Sequence, residues 1–150
     1  MSADDAAHAG APVTGLSHVQ LMVSDVGVSA DWYGAALGLE PYVDDRDNGY
    51  IALRHRGARI VVVLSADSDA PGSGGPGSPT GTGPAPAAPG RLDHLAFAVP
   101  DEDALRSWAD HLTQIGIDHA GVVRELGNPS LQLRDPDGIA IELVAPDRPV

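Results

Sequence analysis

The chain of 150 residues has no cysteine. Disulfides are excluded, and so is every thiolate metal site, so any metal must be held by imidazole and carboxylate. Basic side chains are scarce: 9 Lys and Arg stand against 21 Asp and Glu, a formal charge of -12. Such a surface repels phosphate backbones and anionic lipid, which argues against nucleic acid and membrane as partners. Long apolar runs are missing too. The longest strongly apolar stretch, residues 60–64, is far too short to cross a bilayer. The N-terminal residues 1–12 are acidic and Ala-rich, with no basic start leading into an apolar segment, and do not resemble a secretory signal. A cytoplasmic protein is the resulting expectation. The length suffices for one well-packed domain, or for two half-domains sharing a core.

What the chain does have is an internal repeat. Leu16-Ser-His18-Val-Gln-Leu-Met-Val23 matches Leu92-Asp-His94-Leu-Ala-Phe-Ala-Val99, and a tryptophan follows each histidine by 14 residues, at Trp32 and Trp108. Both matching segments alternate as half-buried strands do. Each tryptophan lies in a helical stretch, at 28–37 and 102–115, that closes near a glycine, Gly38 or Gly116. Leu105, Trp108, Leu112 and Ile115 share one helix face. Three short strands are expected after each helix: 40–43, 50–54 and 59–65 in the first half, 118–123, 130–134 and 139–144 in the second. Asp135-Pro-Asp-Gly138 is a tight turn between the last two.

The organisation is therefore a flexible tail at 1–14, a β-α-β-β-β module at 15–66, a linker at 67–90, a second module at 91–146 and a tail at 147–150. The linker is dominated by Gly, Pro, Ser and Ala and cannot bury enough apolar surface to offset its ordering entropy. A binding lid is the sharper reading of it. It has no aromatic or basic residue with which to hold a ligand, which favours the linker. The predicted fold class is α+β, with two paired modules forming an open, cupped sheet.

Strand alternation sorts the side chains between the helices and the cup. In the first strand Val19, Leu21 and Val23 pack on the helix, leaving His18, Gln20 and Met22 facing the cup. Leu95, Phe97 and Val99 place His94 there in the same way, and Ile139, Ile141 and Leu143 place Glu142 there. Tyr50, Ala52 and Arg54 fall opposite Ile51 and Leu53, and Ser130, Gln132 and Arg134 opposite Leu131 and Leu133. In the fourth strand the shared parity of Ile60, Val62 and Leu64 is read as the cup side. A lone strand histidine is seldom a ligand. A glutamate inside Ile-Ala-Ile-Glu-Leu-Val is costly to bury unless it is paired or bound to metal. Two histidines at the same point of a repeat, with that glutamate, point to a divalent metal on His18, His94 and Glu142.

Gly15-Leu-Ser-His18, Asp31-Trp-Tyr-Gly-Ala-Ala-Leu-Gly38, His94 and Asp135-Pro-Asp-Gly-Ile-Ala-Ile-Glu142 together resemble the vicinal-oxygen-chelate superfamily, the glyoxalase/bleomycin resistance/dihydroxybiphenyl dioxygenase fold. The resemblance spans nearly everything from Gly15 to Pro146 except the linker. It implies paired modules around a metal, with ligands from strands one, four, five and eight. Aligning Val61-Val-Val-Leu with Ile141-Glu-Leu-Val puts Val62 at the position equivalent to Glu142. Glyoxalase I has a carboxylate there, so the valine weighs against that chemistry and against a two-base epimerase. Fosfomycin resistance enzymes and extradiol or related dioxygenases resemble the chain better in ligand count.

Two histidines and a carboxylate suit Fe(II), the first expectation, and equally Mn(II), Ni(II), Co(II) or Zn(II). Such a site can chelate two adjacent oxygens of a small substrate and stabilise an anion as a Lewis acid. The expected activity is a metal-dependent dioxygenase or a lyase/isomerase. The alternative is a non-catalytic module that sequesters an antibiotic-like molecule, although bleomycin-binding relatives generally lack the triad. Tyr50, Gln132 and His119, with His55, are candidate acid/base groups. Gln20, Met22, Arg54, Val62, Ser130 and Arg134 are candidate substrate contacts, and His8 and His111 read as exposed. The partners expected are a small-molecule substrate and a second copy of the chain. If modules swap in the dimer, His18 comes from one chain and His94 with Glu142 from the other; the linker makes pairing within one chain equally feasible.

Overall fold

The structure, a computed structural model, describes residues 15–67, 92–125 and 128–145. The first module runs β1 (Val19–Val23), α1 (Val26–Leu37), β2 (Glu40–Asp45), β3 (Tyr50–Arg54) and β4 (Val61–Ala66). The second runs β5 (Leu95–Ala98), α2 (Glu102–Gln114), β6 (His119–Glu125), β7 (Asn128–Arg134) and β8 (Ala140–Val144). Both are β-α-β-β-β. The expected linker lies almost wholly outside the described residues, as do both expected tails and His8.

Local chemistry sets the helix ends. Asp25 is extended and its side chain accepts from Val28 N, so α1 starts two residues earlier than its apolar pattern suggests. Gly38 closes α1 in the left-handed region at φ 69, where a side chain would be strained. Asp101 caps α2 in the same way as Asp25 caps α1. Glu102 and Asp103 in its first turn and His111 in its last suit the helix dipole. Leu105 and Leu112 are fully buried, whereas Ile115 falls at the cap position and is exposed, not on the buried face expected for it.

Each module forms one four-stranded sheet, in the orders β1-β4-β3-β2 and β5-β8-β7-β6. β1 and β5 run parallel to their partners and the remaining pairs are antiparallel, so the two halves share one topology. One continuous core takes Leu21, Val23, Ile51, Leu53, Val62 and Leu64 from the first sheet and Leu131, Leu133, Ile141 and Leu143 from the second, with Tyr33 and Leu105 from the helices.

Polar bonds fasten the modules to each other. Tyr33, fully buried, donates its hydroxyl to Asp135 Oδ2 at 2.9 Å, and His111 Nε2 donates to the Ala35 carbonyl at 2.8 Å. His111 is therefore half-buried against the other helix, not free as its sequence context suggests. Asp135 Oδ1 also accepts from Asp137 N and Ile139 N, closing the β7–β8 turn. Asp137 accepts from the backbone and hydroxyl of Ser24 just before α1. Burial and the neighbouring Asp135 charge push the Tyr33 hydroxyl far above its ordinary range, so it stays a donor.

Candidate metal centre

On the face of each sheet turned away from its helix, here the open face, register fixes which side chains are neighbours. Gln20 pairs with Val63, and Val63 with Ala52; in the second module Ala96 pairs with Glu142, and Glu142 with Gln132. The position equivalent to Glu142 is thus Val63. Val62 pairs with Val19 and Leu53 and is buried in the core at 1% exposure, so the cup-facing assignment of Val62 is corrected by one residue. Ile60 packs against the same core. The five residues 60–64 are all apolar, and only pairing with β1 and β3 distinguishes their two sides. The residue at the equivalent position is still a valine, so no carboxylate stands there.

Glu142 and His94 meet. His94 precedes β5 and Glu142 stands near the middle of β8, and His94 Nε2 lies 3.4 Å from Glu142 Oε2. The glutamate is largely shielded, at 19% side-chain exposure, and the histidine is half open, at 46%. His94 Nδ1 donates to Asp93 Oδ2 at 2.8 Å, which commits that nitrogen and turns Nε2 toward Glu142. His18 is arranged alike: Ser17 Oγ stands 3.2 Å from its Nδ1. Asp93 and Ser17 escaped the sequence reading, although each directly precedes its histidine in the repeat.

The pair fits a divalent ion. Nitrogen and oxygen donors on one ion at about 2.0–2.2 Å stand roughly 3–3.5 Å apart, and the observed separation is 3.4 Å. His18 is not brought to the pair. Among the described residues no three His, Asp or Glu side chains converge to hold an ion.

The model of the Glyoxalase/Bleomycin resistance protein/Dioxygenase superfamily matches residues 15–143. The chain belongs to that superfamily. Its fold is similar to a glyoxylase/bleomycin resistance protein/dioxygenase domain from Frankia sp. EAN1pec, at 26% identity and a TM-score of 0.72 over 93% of this chain and 96% of that one. It is also similar to a lactoylglutathione lyase from Agrobacterium tumefaciens, at 18% identity and a TM-score of 0.66, covering 90% and 96% of the two chains. A third similarity is to the fosfomycin resistance protein FosX from Listeria monocytogenes, at 14% identity and a TM-score of 0.64, covering 90% and 95%. At 18% and 14% identity the last two speak for the fold alone. None of the curated proteins matches the chain. Members of this superfamily are often metal-dependent enzymes that bind small molecules and pair as dimers.

The remaining expected site residues divide. Gln20, Met22, Tyr50 and Arg54 all lie on the open face of the first sheet, where Gln20 Nε2 donates to Ser65 Oγ at 2.9 Å. Gln132 lies beside Glu142 on that of the second. Ser130 has the same parity but is buried. Arg134 turns its guanidinium to the Gly138 carbonyl at 2.8 Å and holds the β7–β8 turn. His119 is a correction. A bulge after it leaves it opposite Leu133 on the helix side, where Nε2 stands 3.0 Å from Thr113 Oγ1 and Nδ1 accepts from Gly121 N. That places it away from the open face and from acid/base work there. His55 accepts from Gly57 N at 3.0 Å and serves the turn between β3 and β4.

No helix among the described residues is long and apolar enough to cross a membrane.

Proposed function

We propose that this protein is a metal-dependent enzyme of the superfamily, built as a homodimer whose site is shared between chains. In this reading the open face of the first module of one copy lies over the open face of the second module of the other. His18 of the partner subunit then joins His94 and Glu142 to complete a 2-His-1-carboxylate set. The observation that carries the proposal is the His94–Glu142 pair at 3.4 Å with Asp93 holding the far ring nitrogen.

Two further features support it. His18 has a polar neighbour at Nδ1, Ser17, as His94 has Asp93, and it belongs to no group of three His, Asp or Glu among the described residues. The first module also leaves Met22, Val43 and Tyr50 exposed on its open face, at 53%, 41% and 37%. Apolar side chains gathered on one face mark a surface that another protein covers.

His94 and Glu142, with the partner's His18, would hold a divalent ion, Fe(II) in first place, which would supply Lewis-acid polarisation of a bound substrate. The protein's own part is to orient the histidines, to present Glu142 as a ligand and to set Gln132 beside it on the same face. Dioxygenase and lyase/isomerase chemistry are both served by this arrangement. The position of Val63 carries no carboxylate, so no base stands in the first module at the place equivalent by symmetry to Glu142.

Protein purified anaerobically is expected to hold close to one divalent ion per chain by elemental analysis. His94→Ala should lose most of it, and Asp93→Asn should weaken metal affinity by about 10–100-fold without loss of fold. Full metal occupancy in His94→Ala sinks the assignment. Oxygen uptake against a panel of vicinal diols and hydroxyketones separates the two reaction classes.

A further inference from the structure

On the open face of the first module, continuing the register, His18 falls beside Val61, Val61 pairs with Arg54, and Arg54 with Glu40. The guanidinium of Arg54 lies over the Tyr42 ring, 5.7 Å from its centroid. Its neighbour Glu40 is engaged elsewhere, accepting from Arg56 Nε at 2.5 Å. Arg46, Arg106 and Arg124 likewise stand against carboxylates, those of Asp44 and Glu102. Arg134, at the equivalent end of β7, is bonded to a backbone carbonyl. Arg54 has no carboxylate within ion-pairing distance among the described residues, in a chain with 21 acidic and 9 basic residues.

We infer that Arg54 is the substrate's anion-binding residue, and that the substrate is a small organic carboxylate with an apolar or aromatic body. The inference rests on the shared metal site proposed above. Arg54 stands two strands from His18 in one cross-sheet row, about 10 Å between backbones at the usual strand spacing. The long arginine stem bridges part of that gap. What remains fits a small molecule whose adjacent oxygens face the metal ligands while its carboxylate reaches the guanidinium. The cation–π contact with Tyr42 holds the guanidinium on this face, and a guanidinium can make a two-point bond to a carboxylate. Val61, partly exposed, stands between His18 and Arg54 in that row and gives it an apolar floor. One arginine neutralises one charge. Glu40 and Asp45, which share this face, disfavour a dianion such as a phosphonate.

The test uses the metal-loaded dimer and matched probes: 3,4-dihydroxybenzoate, its neutral amide 3,4-dihydroxybenzamide, and 3,4-dihydroxyphenylphosphonate, titrated calorimetrically. Wild type should bind the benzoate about tenfold or more tighter than the amide, as a charge-assisted bond supplies. Arg54→Gln should abolish that preference while keeping metal content and affinity for the amide, and Arg54→Lys should restore part of it. Equal affinities in wild type, a preference that survives in Arg54→Gln, or no binding of either probe overturns the assignment. Tighter binding of the phosphonate overturns the choice of a monoanion. If the protein takes up no metal yet keeps an Arg54-dependent preference for the benzoate, the anion site stands and the metal reading alone fails.

Discussion

Val62 and Val63 are adjacent, identical and both buried, yet they stand on opposite sides of β4. Val62 is packed among Leu21, Leu53 and Leu64, so a carboxylate there has neither partner nor water. Val63 neighbours Gln20 and Ala52 on the open face, with Ser65 two residues along. Val62→Glu should therefore destabilise the fold by about 3 kcal/mol or more, and Val63→Glu by roughly 1 kcal/mol. Urea denaturation of the two variants measures the difference. A larger loss in Val63→Glu would mean that β4 is shifted by one residue. Val63→Glu also places a carboxylate at the position equivalent to Glu142, where it should tighten metal binding and obstruct the substrate. At this scale the sequence was legible wherever polar and apolar residues alternate, as at His18, His94 and Glu142. It was illegible in the unbroken run at 60–64, where composition is blind to side.

The β7–β8 turn helps tie the second module to the first. Burial pushes the Asp135 carboxyl above its ordinary value of 3.8, against bonds from Ile139 N, Tyr33 and Asp137 N that pull it down. A carboxyl whose folded value is raised binds more protons folded than unfolded. Its contribution to stability is whole below 3.8 and is lost as pH rises through the raised value. Asp135→Asn does not titrate there. Between acid below 3.8 and neutrality, wild type should lose stability relative to Asp135→Asn, followed as the difference in urea midpoints across pH. A difference that moves the other way would mean that the three hydrogen bonds outweigh burial. The turn itself was readable from Asp-Pro-Asp-Gly. Its partner Tyr33, 102 residues away, was not, because nothing local marks which helix residue will meet it.

At the scale of the whole molecule, the His94–Glu142 pair lies in one module and His18 in the other, without convergence among the described residues. A shared dimer site makes a specific demand. His18→Ala and Glu142→Ala should each lose metal alone, and on refolding together should recover one intact site per heterodimer. No recovery despite demonstrated subunit exchange would assign the site to a single chain. Metal should also raise the melting temperature, since an ion that binds only the assembled state stabilises it by mass action.

The sequence alone determined the repeat, the βαβββ order, the glycines near the helix ends and the outward parity of both histidines and of Glu142. Each of these follows from periodicity or from chemistry within a few residues. The tertiary structure alone decided the side of Val62, the withdrawal of His119 behind a bulge, the grip of Asp93 on His94 and the separation of His18 from the His94–Glu142 pair. Those depend on which strands pair, in which register, and on how two similar modules pack. Such contacts join residues far apart in sequence, and no local pattern encodes them.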